Sequence, residues 1–219
     1  MKLFKKVKKI HFVGIGGAGM IGVAKVLLQK GYKISGSDIF NSNDLNKLKK
    51  DGAKIFIGHS KKNVKGTNLV VVSSAIDKNN PEILQAKKDS ITIIPRAEML
   101  GSLMIGYESI AVAGSHGKTT TTSIIAKIFS VANLSPTYVV GGKVLSTDEN
   151  SDLGEGKYLV AEADESDGRK KDQACLHGQS AGSENSDSGP QQNCCGCCRE
   201  VGSPHTQRGG LFCWKQKPA

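Results

Sequence analysis

Residues 10–20 read IHFVGIGGAGM, so that a short apolar run leads directly into a glycine-rich turn. Gly14, Gly16 and Gly19 form the pattern G-x-G-x-x-G, which allows a tight turn and lets a pyrophosphate approach the backbone at a helix N-terminus. Asp38 follows Gly19 at close to the ~20-residue spacing that is expected for a ribose-binding carboxylate. The stretch predicts a strand–turn–helix unit. Taken alone it favours a nicotinamide-dependent oxidoreductase, against a glycine-rich turn that binds nothing.

The sequence on both sides of this stretch alternates short apolar runs with amphipathic segments, which is typical of βαβ units around a parallel sheet. The pattern predicts strands over 10–13, 33–37, 55–57, 69–73, 91–94, 110–113, 138–140 and 158–161. It predicts helices over 21–28, 44–50, 81–88 and 96–105, and another that starts at Lys118. We therefore expect an α/β protein with a Rossmann-like sheet.

A second glycine-rich loop lies between a predicted strand and a predicted helix. Gly114 and Gly117 let backbone N–H groups turn toward phosphate oxygens, Lys118 supplies a positive charge, and Thr119 places a hydroxyl where Mg²⁺ binds. Position 112 is Val, so the loop is shorter than the full G-x-x-x-x-G-K-[ST] pattern. The residues that this loop predicts to bind ATP are Gly114, Ser115, His116, Gly117, Lys118, Thr119 and Thr120.

A third segment, EADESD over residues 162–167, ends the predicted strand 158–161. Carboxylates at the carboxyl edge of a strand, in the same unit as a phosphate-binding loop, suit a hard cation such as Mg²⁺. Glu162 is the candidate ligand, and the alternative is a solvated acidic loop.

Together the segments 10–20, 35–38, 114–121 and 162–167 resemble the Mur ligases of bacterial peptidoglycan synthesis, and the resemblance extends over residues 8–168. It implies an ATP-dependent ligase that joins L-alanine to UDP-N-acetylmuramate through an acyl phosphate, with ATP and Mg²⁺ as cofactors. It also implies a UDP-sugar-binding domain over 1–107 and a partial ATP-binding domain over 108–168.

The resemblance assigns roles to individual residues. Lys118 would stabilise the γ-phosphoryl group as the catalytic residue, while Thr119 and Glu162 would hold the metal. His116 would either orient the loop backbone or contact the ligand. The UDP-sugar would contact Gly14, Gly16, Gly17, Ala18, Gly19, Asp38, Ser73 and Ala75.

The last 51 residues, 169–219, differ sharply in composition from the rest. They hold all six cysteines and the single tryptophan, and they contain no isoleucine. The segment CCGCC at 194–198 contains overlapping C-x-x-C pairs, which leaves a zinc site or a disulfide open, but a tetrahedral site normally needs two separated pairs. We expect this tail to be disordered or non-native, from a frame shift or joining artefact, and the chain alone to be inactive.

Composition excludes other classes of protein. The formal net charge is +10 over 219 residues, but the lysines are scattered and lack interleaved aromatic residues, which argues against a nucleic-acid partner. No apolar run approaches the ~20 residues of a membrane helix. We expect a cytoplasmic protein that binds no membrane. A UDP-sugar-binding fragment without catalysis and a nicotinamide-dependent oxidoreductase remain the alternatives.

Overall fold

A computed structural model describes residues 7–144, 149–163 and 212–216. These residues form two five-stranded sheets joined by helices, which confirms the α/β fold class. The first sheet uses strands from residues 9–95, and the second sheet begins at residue 108.

The first sheet is parallel throughout, with the strand order β3-β2-β1-β4-β5. Its elements are β1 Lys9–Val13, α1 Ala18–Gln29, β2 Lys33–Asp38, α2 Asn43–Lys50, β3 Lys54–Ile57, β4 Leu69–Val72, α3 Pro81–Lys88, β5 Thr92–Pro95 and α4 Arg96–Met104, with a 3-10 turn at Lys61–Val64. The strand order reverses between β1 and β4, and in sheets of this kind ligands bind in the crevice at the carboxyl ends of the strands there.

Local sequence explains where the helices begin and end. The Ser42 hydroxyl accepts a hydrogen bond from the Leu45 N–H at the start of α2, and Asn80 caps α3 in the same way through the Glu82 N–H. Pro81 occupies the first turn of α3, where its missing N–H costs no helical hydrogen bond. Gly31 adopts a positive φ of 88° just after α1 and turns the chain into β2.

The second sheet has the strand order β10-β6-β9-β7-β8. Its elements are β6 Glu108–Ala113, α5 Lys118–Val131, β7 Thr137–Val144, β8 Glu149–Asp152, β9 Tyr158–Glu162 and β10 Phe212–Gln216. The three inner strands are parallel to one another, whereas β8 and β10 run antiparallel at the two edges. Strand β8 is absent from the sequence-based prediction.

Helix α1 connects the two sheets, because it packs on β7 and β8 as well as on the first sheet. The fully buried Leu159 and Ala161 of β9 belong to the same apolar cluster as Phe12 of β1 and Leu27 of α1. Polar contacts support this packing: the Asn150 side-chain amide donates to the Ala18 carbonyl. The core is therefore continuous from one sheet to the other.

The tail contributes one described element, which the composition does not predict. Residues Phe212–Gln216 form β10 and pair with Ala113–Ser109 of β6. Disorder is therefore the wrong expectation for these five residues. Their sequence, FCWKQ, is the most apolar part of the tail, and β6 offers it an open edge for backbone hydrogen bonds. The segment 194–198 and the rest of the tail lie outside the described residues.

The described helices are all short. The longest, α5, has 14 residues. No helix in the described part of the chain has both the length and the apolar character needed to cross a membrane.

Candidate functional site

The glycine-rich loop, residues 14–19, joins β1 to α1 at the carboxyl edge of the first sheet and includes the first two residues of α1. Gly14 has a positive φ of 78°, and the N–H groups of Gly14 and Ile15 donate to the Ser37 carbonyl at 2.9 and 3.0 Å. A Cβ on Gly14 would lie 2.9 Å from Ile76 Cγ1. Glycine at position 14 thus lets the loop pack closely against the end of β4, where residues 73–76 line the same crevice.

Asp38, at the end of β2, reaches this loop directly. Its Oδ2 accepts a hydrogen bond from the Gly16 N–H at 2.7 Å, and a Cβ on Gly16 would lie 2.8 Å from the same oxygen. The structure therefore brings together the glycine loop and the carboxylate that sequence spacing pairs with it.

The remaining residues predicted to contact the sugar nucleotide also lie at the carboxyl edge of the first sheet, after β1 and β4. Gly17 and Ala18 are exposed at the start of α1, while Ser73 is half-buried and Ala75 exposed beyond β4. The Ser73 hydroxyl accepts a hydrogen bond from the Ala75 N–H at 3.4 Å. Gly17 caps α1 without a side-chain hydrogen bond, and the first turn of α1 has no acidic residue. This helix terminus is suited to bind an anion from solution.

A buried carboxylate that the sequence analysis missed lies beneath this crevice. Glu82 of α3 is fully buried and accepts hydrogen bonds from the Ser37 hydroxyl, the Asn63 amide and the Ser60 N–H. His59 Nδ1 lies 3.2 Å from Glu82 Oε2, and His11 Nε2 lies 3.6 Å from it. A glutamate in the first turn of a lysine-rich helix gives no sequence signal that distinguishes it from an exposed one.

The environment of Glu82 keeps the carboxylate ionised. Burial acts to raise its pKa, but the contacts with His11, Ser37 and Asn63 outweigh burial and lower the pKa to about 2. Ser37 directly precedes Asp38, so this network fixes the end of β2 that carries the Asp38 carboxylate.

The second loop, residues 114–117, joins β6 to α5 at the carboxyl edge of the second sheet. Gly114 and Gly117 both have positive φ, of 147° and 76°, and Gly117 is the N-cap of α5. The Lys118 ammonium donates to the Gly114 carbonyl at 2.7 Å across the loop. Ser115, His116 and Thr120 are exposed to solvent. The loop therefore presents a helix N-terminus and a lysine on the same side.

Glu162 lies beside this loop because β9 is the parallel neighbour of β6. The Thr119 hydroxyl donates to Glu162 Oε2 at 3.0 Å, and the Gly141 N–H donates to the same oxygen at 2.7 Å. A Cβ on Gly141 would lie 2.8 Å from that oxygen. Thr119 and Glu162 are therefore adjacent, as a shared metal would require, and Asp164 and Asp167 lie outside the described residues.

The oxygen donors of Thr119 and Glu162 suit Mg²⁺. This cation usually takes one or two protein oxygens and completes its shell with water and substrate phosphates. No cluster of three or more His, Cys, Asp or Glu side chains occurs within the described ranges, so a site of the zinc type is not found there.

The fold is that of an α/β protein with two glycine-rich loops, one on each sheet, each of which joins a strand to a helix. Residues 9–108 match the Mur ligase family, catalytic domain. This part of the chain therefore contains a Mur ligase family domain.

Individual relatives extend the match. The chain is 54% identical over 166 residues to UDP-N-acetylmuramate–L-alanine ligase of Desulfatibacillum aliphaticivorans. The aligned residues cover 76% of this chain and 36% of the relative. The crystal structure of UDP-N-acetylmuramate–alanine ligase MurC from Thermotoga maritima superimposes with a TM-score of 0.64 at 36% identity, over 70% of this chain and 36% of that one. A murein peptide ligase from Psychrobacter arcticus superimposes with a TM-score of 0.65 at 29% identity. The superposition covers 73% of this chain and 38% of that chain. The chain thus spans about a third of the length of these relatives.

Proposed function

We propose that the chain carries the UDP-sugar-binding and ATP-phosphate-binding elements of an ATP-dependent ligase that joins L-alanine to UDP-N-acetylmuramate. One observation carries this proposal: two glycine-rich loops between a strand and a helix lie on one chain, and beside the second loop the Thr119 hydroxyl contacts Glu162 at 3.0 Å. The 54% identity to a UDP-N-acetylmuramate–L-alanine ligase supports the choice of substrates. A nicotinamide-dependent oxidoreductase would leave the second loop without a role.

The proposed reaction has two steps. The lactyl carboxylate of UDP-N-acetylmuramate attacks the γ-phosphorus of ATP and forms an acyl phosphate, with ADP as the leaving group. The amine of L-alanine then attacks the acyl carbon, loses a proton and releases phosphate. Carboxylates are poor acyl donors, and phosphorylation supplies the leaving group that amide formation requires.

The residues of the second loop would contribute mainly electrostatics and positioning. Lys118 and the N-terminus of α5 would stabilise negative charge on the phosphates. Thr119 and Glu162 would hold Mg²⁺, which neutralises charge where two anions meet. In the first loop, the N–H groups at the start of α1 would bind the UDP diphosphate, and Asp38 would lie beside the uridine.

Two substitutions separate the two sites. Gly16→Val should block UDP-N-acetylmuramate binding, because a Cβ there lies 2.8 Å from Asp38 Oδ2 and a larger side chain closes the backbone to the diphosphate. Lys118→Ala should weaken ATP–Mg²⁺ binding about tenfold or more and leave UDP-sugar binding unchanged. Lys127→Ala, an exposed lysine of the same helix, is the matched control.

Calorimetric titration of each variant with each ligand tests the proposal. Loss of UDP-N-acetylmuramate binding only in Gly16→Val, and weaker ATP–Mg²⁺ binding only in Lys118→Ala, would support two separate sites. Saturable NADH binding that Gly16→Val abolishes, together with no binding of UDP-N-acetylmuramate, would overturn the assignment. L-alanine-dependent phosphate release that Lys118→Ala abolishes supports the full ligase reaction. Binding of both UDP-N-acetylmuramate and ATP–Mg²⁺ without L-alanine-dependent phosphate release favours the non-catalytic alternative.

A further inference from the structure

We propose that Arg96 binds the diphosphate of the UDP-sugar from the side of the crevice opposite Asp38. This inference rests on the proposed function, because it adds a residue to the same site. Neither the glycine pattern nor its spacing to Asp38 points to this arginine.

Topology brings Arg96 to the crevice. It is the first residue of α4 and follows β5 directly, so it starts from the carboxyl edge of the sheet. The order β3-β2-β1-β4-β5 places β2, with Asp38, on one side of β1 and places β5 on the other. A ligand over the end of β1 would therefore lie between Asp38 and Arg96.

The guanidinium group of Arg96 lies against the first turn of α1. A Cβ added to Gly19 would lie 2.1 Å from Arg96 Nη1 and 2.9 Å from Cζ. The third glycine of the pattern usually permits close packing of helix and strand. Here the nearest atoms belong to Arg96, so Gly19 leaves the space that the guanidinium occupies.

The electrostatics of this contact favour an anionic ligand. The N-terminus of a helix carries a partial positive charge, which favours an anion there. In α1 the first turn contains no acidic residue, and Gly17 provides no side-chain cap. Arg96 adds a second positive group, so an anion bound at this point interacts favourably with both.

The geometry of arginine suits a diphosphate in particular. A guanidinium offers several N–H donors in a planar fork that can contact two phosphate oxygens together, whereas an ammonium acts as a point charge. The backbone N–H groups of the glycine loop would bind one face of the diphosphate, and Arg96 would bind another. Arginine at this position would thus favour UDP compounds over uridine.

Titration with UDP-N-acetylmuramate and with UDP tests the role of Arg96. Arg96→Ala should weaken both affinities about tenfold or more, and Arg96→Lys should restore part of the loss. Lys88→Ala removes an exposed charge at the far end of α3 and should bind like the parent chain. Thermal unfolding of each variant checks that the fold is retained.

Gly19→Ala gives a sharper test because it acts on Arg96 indirectly. The added methyl group would displace the end of a flexible side chain, and alanine is favourable within a helix, so the fold should be retained. We expect Gly19→Ala to weaken UDP binding when Arg96 is present and to have little further effect in the Arg96→Ala chain. Such non-additivity is the signature of two residues that act together.

The outcomes separate this inference from the proposed function. Equal UDP affinity in the parent chain and Arg96→Ala would overturn the role of Arg96 and leave the UDP-sugar site intact. Additive losses of UDP affinity from Gly19→Ala and Arg96→Ala would also contradict the role of Arg96. A parent chain that binds neither UDP-N-acetylmuramate nor UDP would overturn the proposed function itself.

Discussion

Glu82 holds four segments together through a single buried carboxylate. From the first turn of α3 it contacts Ser37 of β2, His11 of β1 and Asn63 of the 3-10 turn. Such a group leaves several polar partners unsatisfied when it is removed. The cost of breaking a buried charged network by deleting one partner is typically about 3–5 kcal/mol.

We predict that Glu82→Ala lowers the free energy of unfolding by about 3 kcal/mol or more, measured by urea denaturation. Glu98→Ala, at an exposed position in the first turn of α4, is the control and should change stability little. A Glu82→Ala chain as stable as the parent would show that the network contributes nothing to the fold.

The lowered pKa of Glu82 sets the direction of the pH dependence. The folded-state pKa is about 2, below the ordinary value of 4.5, so the unfolded chain binds the proton first as the pH falls. The stabilisation is therefore fully present above pH ~4.5 and is lost between there and pH ~2. The loss of stability over this range should be smaller in Glu82→Ala.

Glu162 has structural hydrogen bonds and a proposed role in metal binding, and a substitution can separate the two. Its carboxylate accepts hydrogen bonds from Thr119 and Gly141, and its negative charge would hold Mg²⁺. Glu162→Gln keeps an acceptor oxygen and removes the charge. We predict nearly unchanged stability but a smaller effect of Mg²⁺ on ATP affinity, measured by titration with and without the metal. If the ATP affinity of the parent chain and of Glu162→Gln depended on Mg²⁺ to the same extent, Glu162 would not be a metal ligand.

Helix α5 starts at Lys118 as the sequence predicts, but only part of its apolar surface is buried. Its apolar positions divide into two groups: Ile125 and Phe129 pack against the second sheet, and Phe129 contacts Tyr158 edge-on at 5.0 Å. Ile124 and Ile128 remain 54% and 58% exposed. Helical spacing identifies apolar residues, but it cannot tell which of two adjacent stripes faces the sheet.

We predict that Ile128→Lys changes the free energy of unfolding by less than about 0.5 kcal/mol, whereas Phe129→Ala lowers it by about 3 kcal/mol. Urea denaturation of the two single variants provides the comparison. A large loss in Ile128→Lys would mean that the exposed face is covered in solution.

Most other elements follow from simple patterns, and the exceptions have physical reasons. The strands of the first sheet are predicted by short apolar runs, because strands buried on both faces have no polar alternation. Strand β8 has the sequence ENSD, which contains no apolar residue. It forms through pairing with β7 and through contacts such as Asn150 with the Ala18 carbonyl, which depend on the folded chain.

In the candidate site, too, some contacts follow from local sequence patterns and others depend on the folded chain. Sequence spacing pairs Asp38 with the glycine loop and Lys118 with Thr119, because short motifs fix local geometry. Arg96 and Glu82 reach the first loop region from the first turns of α4 and α3, through strand order and helix packing. No local pattern encodes those contacts.

At the scale of the whole molecule, α1 is shared between the two sheets. A Cβ on Gly22, on the face of α1 toward the second sheet, would lie 3.1 Å from Val139 Cγ1 and 3.5 Å from Ser151 Cβ. A large side chain at this position would force the second sheet away from the helix, because buried interfaces have little free space.

We therefore predict that Gly22→Leu lowers the free energy of unfolding by about 1–3 kcal/mol and makes the second sheet unfold before the first. Gly101→Leu, in α4 where a Cβ would meet open space, is the matched control. Hydrogen exchange resolves the two sheets separately. Equal protection of β9 in both variants would show that the contact between α1 and the second sheet is dispensable.

We propose that the Gly14–Gly19 loop binds a UDP-sugar and that the second loop binds ATP. Hydrogen exchange of the parent chain with UDP-N-acetylmuramate tests this claim most directly, because it locates the ligand on the chain. With UDP-N-acetylmuramate we expect slower exchange at residues 14–19 and 73–76 and unchanged exchange at 114–120. With ATP–Mg²⁺ we expect the reverse pattern. Protection of residues 14–19 by NADH but not by UDP-N-acetylmuramate would contradict this claim.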